Sequence, residues 1–261
     1  MTKCLQIDPE KESIRIINFI QKTLKEEGFK NVVIGLSGGI DSAVILTLAG
    51  RSVSAKDIFV AHLYYFKSQI DFLKSLLKKA NIPQKNIYNI SIKDIVDKFR
   101  RELGLTVDSI DYKVRLGNIM ARARMIILYD LAKKHNALVC GTENKSEFCL
   151  GYFTRFGDEA SDLEPIRHLY KTQIYQLAKH LNIPKRIIDL PPTAGLWEDQ
   201  TDETDFGFSY QEADLVLSLY LDRKKSLPEI IKMDFPNAKK IICRVNKNSF
   251  KHSSPYIINN R

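Results

Sequence analysis

The hydrophobic positions along the chain follow two periods. Over residues 13–27, Ile14, Ile17, Ile20 and Leu24 recur at helical spacing, so the pattern predicts an amphipathic helix with that apolar face, stopped by Gly28. Short runs rich in β-branched residues follow at 32–36, 58–65, 87–92 and 137–142 and read as four strands. Helical stretches lie between them, one beginning near Asp41, one over 69–80 and one over 118–135. The order βαβαβαβ predicts an α/β fold in which a parallel sheet is flanked by helices. The stretch 118–135 spreads Ile119, Met120, Ala123, Ile126, Ile127, Leu128 and Leu131 widely around its axis. Such a helix is expected to be buried on more than one face, by the sheet on one side and by a second copy of the chain on the other. The competing cover is the chain's own C-terminal segment.

Beyond residue 150 the signals change to charged loops, a helix over 171–182 and an acidic stretch over 197–205, which reads as a mobile lid or a solvated loop. The last 25 residues hold six Lys/Arg and no acid. No repeat or long low-complexity linker divides the chain, so residues 1–261 are expected to form one domain with a C-terminal helical and loop elaboration. No apolar run reaches the roughly 18 residues of a membrane span, and the first residues lack a secretory apolar core, which together predict a cytoplasmic protein with no membrane partner. Cys4, Cys140, Cys149 and Cys243 are scattered without a CxxC pair and are expected to be reduced structural thiols. The net charge of +9 leaves three partners open: nucleic acid, nucleotides carrying several phosphates, or only water around a basic surface.

The strongest chemical signal is the run Gly35, Leu36, Ser37, Gly38, Gly39, Ile40, Asp41 and Ser42, set between a strand and an apolar helix. Paired glycines let the backbone approach an anion, and the helix start that follows presents unpaired amides. A Walker A loop would need GxxxxGK[ST] with a lysine for the terminal phosphates, and that lysine is absent. The SGGxDS arrangement instead resembles the loop of N-type ATP pyrophosphatases, which hold the β,γ-pyrophosphate of ATP while a nucleophile attacks the α-phosphate. Asp41 stands where the loop enters the helix, able either to cap it or to hold Mg²⁺ against the phosphates, and the loop context favours the metal role.

Further motifs narrow the resemblance: GTENKSE from Gly141, GYFTRFGD from Gly151, LYKTQIYQLA from Leu169, PTAGLWEDQTDE from Pro192 and a terminal RVNKNSFKHSSP. In order and spacing this series is similar to ammonia-dependent NAD synthetase, over about residues 10–256. The resemblance implies a Rossmann-like, adenine-nucleotide α-hydrolase-like fold and a dimer. It also implies an enzyme that adenylates the carboxylate of deamido-NAD with ATP, releases pyrophosphate, and lets ammonia displace AMP. Carried over residue by residue, it makes the run Gly35 to Ser42 with Thr142, Lys171 and Thr193 the ATP site, and Asp41 and Lys171 the catalytic pair. Asp41 and Glu147 become the Mg²⁺ ligands, and Arg122, Arg155, Asp162, Phe250 and Lys251 the deamido-NAD site. Asn118 and Arg124 lie on the same helix as Arg122, where an interface ion pair is the alternative to ligand contact.

The resemblance thins after the second strand. LYYFKSQIDFLKSLL is short and lacks the family's proline, so no adenine contact is carried over from it and an altered adenine pocket is expected. No amidohydrolase module accompanies the motifs, which points to free ammonia as the nitrogen donor. A tRNA-modifying ATP pyrophosphatase is the runner-up, weakened by the missing cysteine clusters, and a nucleotide-binding regulatory protein is the other alternative.

Overall fold

The computed structural model describes residues 5–105 and 110–253. The first half runs α1 (Pro9–Glu26), β1 (Asn31–Gly35), α2 (Ile40–Ser52), β2 (Ile58–Tyr64), α3 (Ile70–Lys79), β3 (Ile87–Ser91), α4 (Lys93–Glu102), α5 (Ile110–His135) and β4 (Ala137–Cys140). The second half is helical: α6 (Lys145–Leu150), α7 (Lys171–His180), α8 (Lys185–Ile188), α9 (Asp202–Phe206), α10 (Tyr210–Leu217), α11 (Leu227–Ile231) and α12 (Ala238–Asn248). None of the described helices is long and apolar enough to cross a membrane.

The four strands pair in parallel in the order β3-β2-β1-β4. Strand period two explains the layering: Val32 and Ile34 of β1 face the layer of α1, α2 and α7, while Val33 faces α5. Because β4 lies on the far side of β1 from β2, the order in which strands join the sheet reverses between β1 and β4. Parallel α/β sheets open a crevice at the carboxyl ends beside such a reversal. The outer edge of β4 is closed by the segment around Leu163, which bridges to Cys140, with Gly141 N donating to Leu163 O and Asp162 N to Val139 O, both at 2.9 Å. A third cluster, built on α6, α10, α11 and α12, packs beside this sheet and carries the C-terminal elaboration.

The fold class and the four strands are as the patterning predicts, and several details differ. On α1 Ile20 and Leu24 are buried and Ile17 packs partly buried on the core as expected, whereas Ile14 is 53% exposed and Ile16, with Ser13, is buried in its place. The helix stops as foreseen, with Gly28 at φ +74° and Phe29 N donating to Leu24 O at 2.8 Å. Helix α5 begins eight residues earlier than expected, and α4 was not foreseen because only Val96 of it is buried. The wide apolar spread on α5 is partly absorbed by the sheet: Met120, Ala123 and Leu131 are buried, while Val114 and Ile126 remain exposed. Cys140 and Cys149 are buried free thiols and Cys243 an exposed one, whereas Cys4 lies outside the described residues.

One buried polar side chain fixes the crossover into β2. Asn86 is 2% exposed and its Nδ2 donates to Lys56 O at 2.9 Å and Ile58 O at 3.0 Å. Replacing it by an apolar group of similar volume leaves those carbonyls without their donor. Asn86→Leu is therefore expected to lower the unfolding free energy by roughly 1–3 kcal/mol in urea titrations, and an unchanged midpoint would show that the carbonyls find other donors.

Candidate active site

At the carboxyl ends of β1, β2 and β4 lies a cavity of about 1470 Å³. Single small-ligand pockets usually hold about 300–1,000 Å³, so this space exceeds that of one small ligand. Its floor is the glycine loop that leaves β1. Gly38 adopts φ +101°, a conformation that favours glycine, and a Cβ there would sit 3.2 Å from the end of the Gln69 side chain. Within the loop, Gly39 N donates to Ser37 Oγ at 3.2 Å and Ser42 Oγ donates to Gly39 O at 3.0 Å, holding the turn at the start of α2. Helix α2 carries no side-chain cap, which frees Asp41 from the capping role that the sequence left open.

Asp41 is engaged elsewhere. Its Oδ2 accepts from Lys171 Nζ at 2.6 Å and its Oδ1 from Asn144 Nδ2 at 2.9 Å. Lys171 Nζ also donates to Glu147 Oε1 at 3.0 Å. Asn144 and Glu147 form a capping box at the start of α6, Glu147 N donating to Asn144 Oδ1 and Asn144 N to Glu147 Oε2. One residue thus fixes one oxygen of each carboxylate, and Lys171 takes the other. The backbone at Lys171 is fixed as well: its N donates to Ser146 Oγ and Thr172 N to Asp214 Oδ2, both at 2.8 Å, with Asp214 fully buried.

A further carboxylate joins this group. Asp202 is 2% exposed, its Oδ2 accepts from Tyr210 Oη at 2.9 Å, and its buried Oδ1 has no donor. With all three carboxylates ionised, the single ammonium would leave two negative charges uncompensated. Burial pushes the Glu147 carboxyl up, opposed by Lys171 and reinforced by Asp41 and Asp202, and burial also raises Asp202. Burial alone would lower the Lys171 ammonium, but Asp41 and Glu147 outweigh it and hold it protonated. Excess negative charge on hard oxygens is the donor chemistry that suits a divalent cation. Among the described residues no three such side chains could enclose a metal by themselves, so phosphate oxygens would have to complete the shell, as is usual for Mg²⁺.

Thr142 and Thr193 line the same cavity, Thr193 from an exposed turn in which its Oγ1 accepts from Gly195 N at 3.0 Å. The short segment after β2 is a wall of the cavity through Tyr64, Tyr65, Phe66, Lys67 and Gln69. His62 ties it to the loop: its Nδ1 donates to Leu36 O at 2.9 Å while Nε2 accepts from Gln69 N at 3.0 Å. That pair of bonds requires neutral imidazole, and burial lowers the His62 pKa accordingly.

The residues expected at the second substrate are not gathered in one place. Lys251 lines the large cavity, its Nζ donating to Gly151 O at 2.6 Å and Phe153 O at 2.8 Å. Arg155 lies over the rings of Phe156 and Phe250, and Arg122 donates to Arg155 O at 3.2 Å, so these make a separate outer patch. Asp162 lines a smaller cavity of about 320 Å³, which meets the large one at Ala160, and its Oδ2 accepts from Val139 N at 2.7 Å. Of the two other residues of the α5 motif, Arg124 donates to Leu63 O and Asn118 accepts from Thr154 Oγ1. Asn144 has no role among the expected site residues, although its spacing to Glu147 is a capping-box signature. Asp202, inside the acidic stretch, is likewise not among the expected residues, nor are Lys240, Arg244 and Lys247, which face the cavity from α12 at helical spacing.

Behind the floor sits a second acidic pair. A Cβ at Gly141 would fall 1.8 Å from Glu164 Oε1, so glycine is required where β4 ends. Glu164 accepts from Ser161 Oγ at 2.7 Å and Glu143 N at 3.1 Å, and Glu143 lies 2.8 Å from Arg167 Nη2. Burial pushes Glu143 up to about 9 and Glu164 up to about 7.

Residues 12–255 match the profile of the family described as NAD synthase. The NH(3)-dependent NAD(+) synthetase of Fusobacterium nucleatum is 38% identical over 245 residues, 93% of each chain. Among solved structures, NMN synthetase from Francisella tularensis aligns at TM-score 0.82 and 32% identity, covering 97% of this chain and all of that one. The NH3-dependent NAD synthetase from Campylobacter jejuni, solved with nitrate, aligns at 0.80 and 33% with the same coverage.

The Glu164 environment yields a pH prediction. Its folded pKa, about 7, lies above its unfolded value of 4.5, so the folded state binds the extra proton between the two. The stabilisation is complete below 4.5 and is lost as pH rises towards 7. The stability difference between the parent and Glu164→Gln should therefore shift against the parent by ~3 kcal/mol across that window. Parallel pH–stability curves for the two proteins would rule this out.

Proposed function

The chain belongs to the NAD synthase family, and from that premise we propose that it is a carbon–nitrogen ligase that amidates deamido-NAD with ammonia at the expense of ATP, the last step in making NAD. The nicotinate carboxylate oxygen bonds to the α-phosphorus of ATP as the bond to the pyrophosphate oxygen breaks. Ammonia then bonds to the acyl carbon, AMP leaves with that carboxylate oxygen, and the nitrogen loses a proton to give the amide. Ammonia is taken as the donor because the similar synthetases whose names specify it match over nearly their whole length.

The observation that carries this reading is the meeting of Lys171 with Asp41 of the glycine loop and Glu147 of the GTENKSE motif. In the proposal the run Gly35 to Ser42, with Thr142 and Thr193, holds the phosphates of ATP, and Lys171 neutralises charge as pyrophosphate departs. Asp41 and Glu147 would hold Mg²⁺, which when bound supplies Lewis-acid stabilisation at the phosphate oxygens. Arg122, Arg155, Asp162, Phe250 and Lys251 would receive deamido-NAD, since guanidinium and ammonium groups form charge-assisted bonds to a pyrophosphate. Rate enhancement then rests on aligning two nucleotides and on fixed charge, without a protein nucleophile.

We assign the enzyme to the cytoplasm, as one ligase unit spanning residues 1–261, and take it to be a homodimer through α5. Exposed Val114 and Ile126 on that helix supply apolar surface for a twofold partner, and Arg122 on the same helix would then lie at the interface. A second reading is favoured by one observation, the TM-score of 0.82 to NMN synthetase from Francisella tularensis. It keeps the same chemistry but applies it to nicotinate mononucleotide, half the dinucleotide.

Incubation with ATP, Mg²⁺, ammonium and deamido-NAD is expected to release NAD, AMP and pyrophosphate in equal amounts, and formation of ADP and phosphate would contradict adenylation. A higher kcat/KM for nicotinate mononucleotide in a parallel assay would select the second reading. Asp41→Asn and Glu147→Gln should each lower turnover about 100-fold or more while leaving the fold intact. Arg155→Ala and Lys251→Ala should raise the KM for deamido-NAD more than that for ATP.

A further inference from the structure

The Lys171 ammonium occupies the point at which two carboxylates converge. It is 3% exposed and takes one oxygen of Asp41 at 2.6 Å and one of Glu147 at 3.0 Å, while Asn144 holds the other oxygen of each. All four carboxylate oxygens are thereby satisfied without solvent. The charge balance is nevertheless incomplete, because Asp202 is buried in the same cavity with Oδ1 facing no donor. A single positive charge sits where the surrounding oxygens would accommodate two.

A divalent cation bound by Asp41 and Glu147 would need the very oxygens that Lys171 holds, and two cations cannot share them at ligand distances. Lys171 is also built to yield. Its backbone is anchored at the first residue of α7 by Ser146 and its neighbour Thr172 by Asp214, whereas its head hangs on four flexible methylenes. The head can therefore swing while the helix stays in place.

We infer that Lys171 stands in for the divalent cation in the nucleotide-free protein, so that the cation enters only together with polyphosphate, which offers the displaced ammonium new oxygens. The inference rests on reading Asp41 and Glu147 as the cation's ligands. It makes Lys171 an occupancy switch: the empty site stays neutralised, and the same ammonium reaches the phosphates when the cation takes its place. Binding of the cation and of nucleotide is coupled, each raising the affinity for the other by the same factor.

Mn²⁺ binding, measured by loss of the free-ion paramagnetic resonance signal, tests this without any turnover. Lys171→Met without nucleotide is expected to bind Mn²⁺ at least about tenfold more tightly than the parent, because the parent must first free a buried ion pair. Adding Asp41→Asn to that variant should abolish the gain. The parent should acquire tight binding when a non-hydrolysable ATP analogue is present. Equal Mn²⁺ affinity of parent and Lys171→Met without nucleotide would overturn the stand-in role while leaving the ligand assignment intact. No Mn²⁺ binding by the parent even with the analogue would instead overturn the ligand assignment. Should Lys171→Met fail to fold, the parent alone decides: Mg²⁺ without nucleotide should leave its Tm unchanged, and a rise that Asp41→Asn removes would refute the proposal.

Discussion

Burying the Lys171 ammonium is tolerable only because Asp41 and Glu147 meet it, and each of the three comes from a different part of the chain. Breaking such a buried pair by removing one partner costs about 3–5 kcal/mol, since the remaining charge has no water to turn to. The starts of α2, α6 and α7 meet at this contact, beside the Asn144–Asp41 and Ser146–Lys171 hydrogen bonds that join the same three elements. Asn144 and Asp214 serve that contact at one remove, the first by fixing the carboxylates and the second by fixing the helix that carries the lysine.

The sheet topology makes the convergence possible. Strands β1 and β4 are neighbours in space but are separated by roughly a hundred residues, and the glycine loop leaves one while the GTENKSE segment leaves the other. Both therefore open at the same end of the sheet, beside the reversal in strand order where parallel α/β folds bind ligands. The C-terminal helices close the third side, with Asp202 reaching the same cavity from α9.

The elements with strong local signals were legible in the sequence. Four β-branched runs, the Gly28 stop and the glycine loop each carry their signature within a few residues, and the structure follows them. What the sequence hid depends on contacts between distant segments. At the start of α1 the expectation fails at Ile14 alone, because Ile14, Ile16 and Ile17 offer two apolar stripes and only packing against α2 and α7 chooses between them. Helix α4 has a single buried residue, and an acid inside an acidic stretch, Asp202, gives no hint that it is buried. The glycine loop, Thr142, Glu147, Lys171, Thr193 and Lys251 do come to one cavity. Arg122, Arg155 and Phe250 gather outside it, on a surface that one copy of the chain leaves open.

The central step is attack of the nicotinate carboxylate on the α-phosphate of ATP. Deamido-NAD labelled with ¹⁸O in both nicotinate carboxylate oxygens, turned over with ammonium and ATP, distinguishes the routes by mass spectrometry of the products. Adenylation requires one ¹⁸O in AMP, one retained in the amide, and none in pyrophosphate. Label in inorganic phosphate accompanied by ADP would mean attack at the terminal phosphate and would contradict the account.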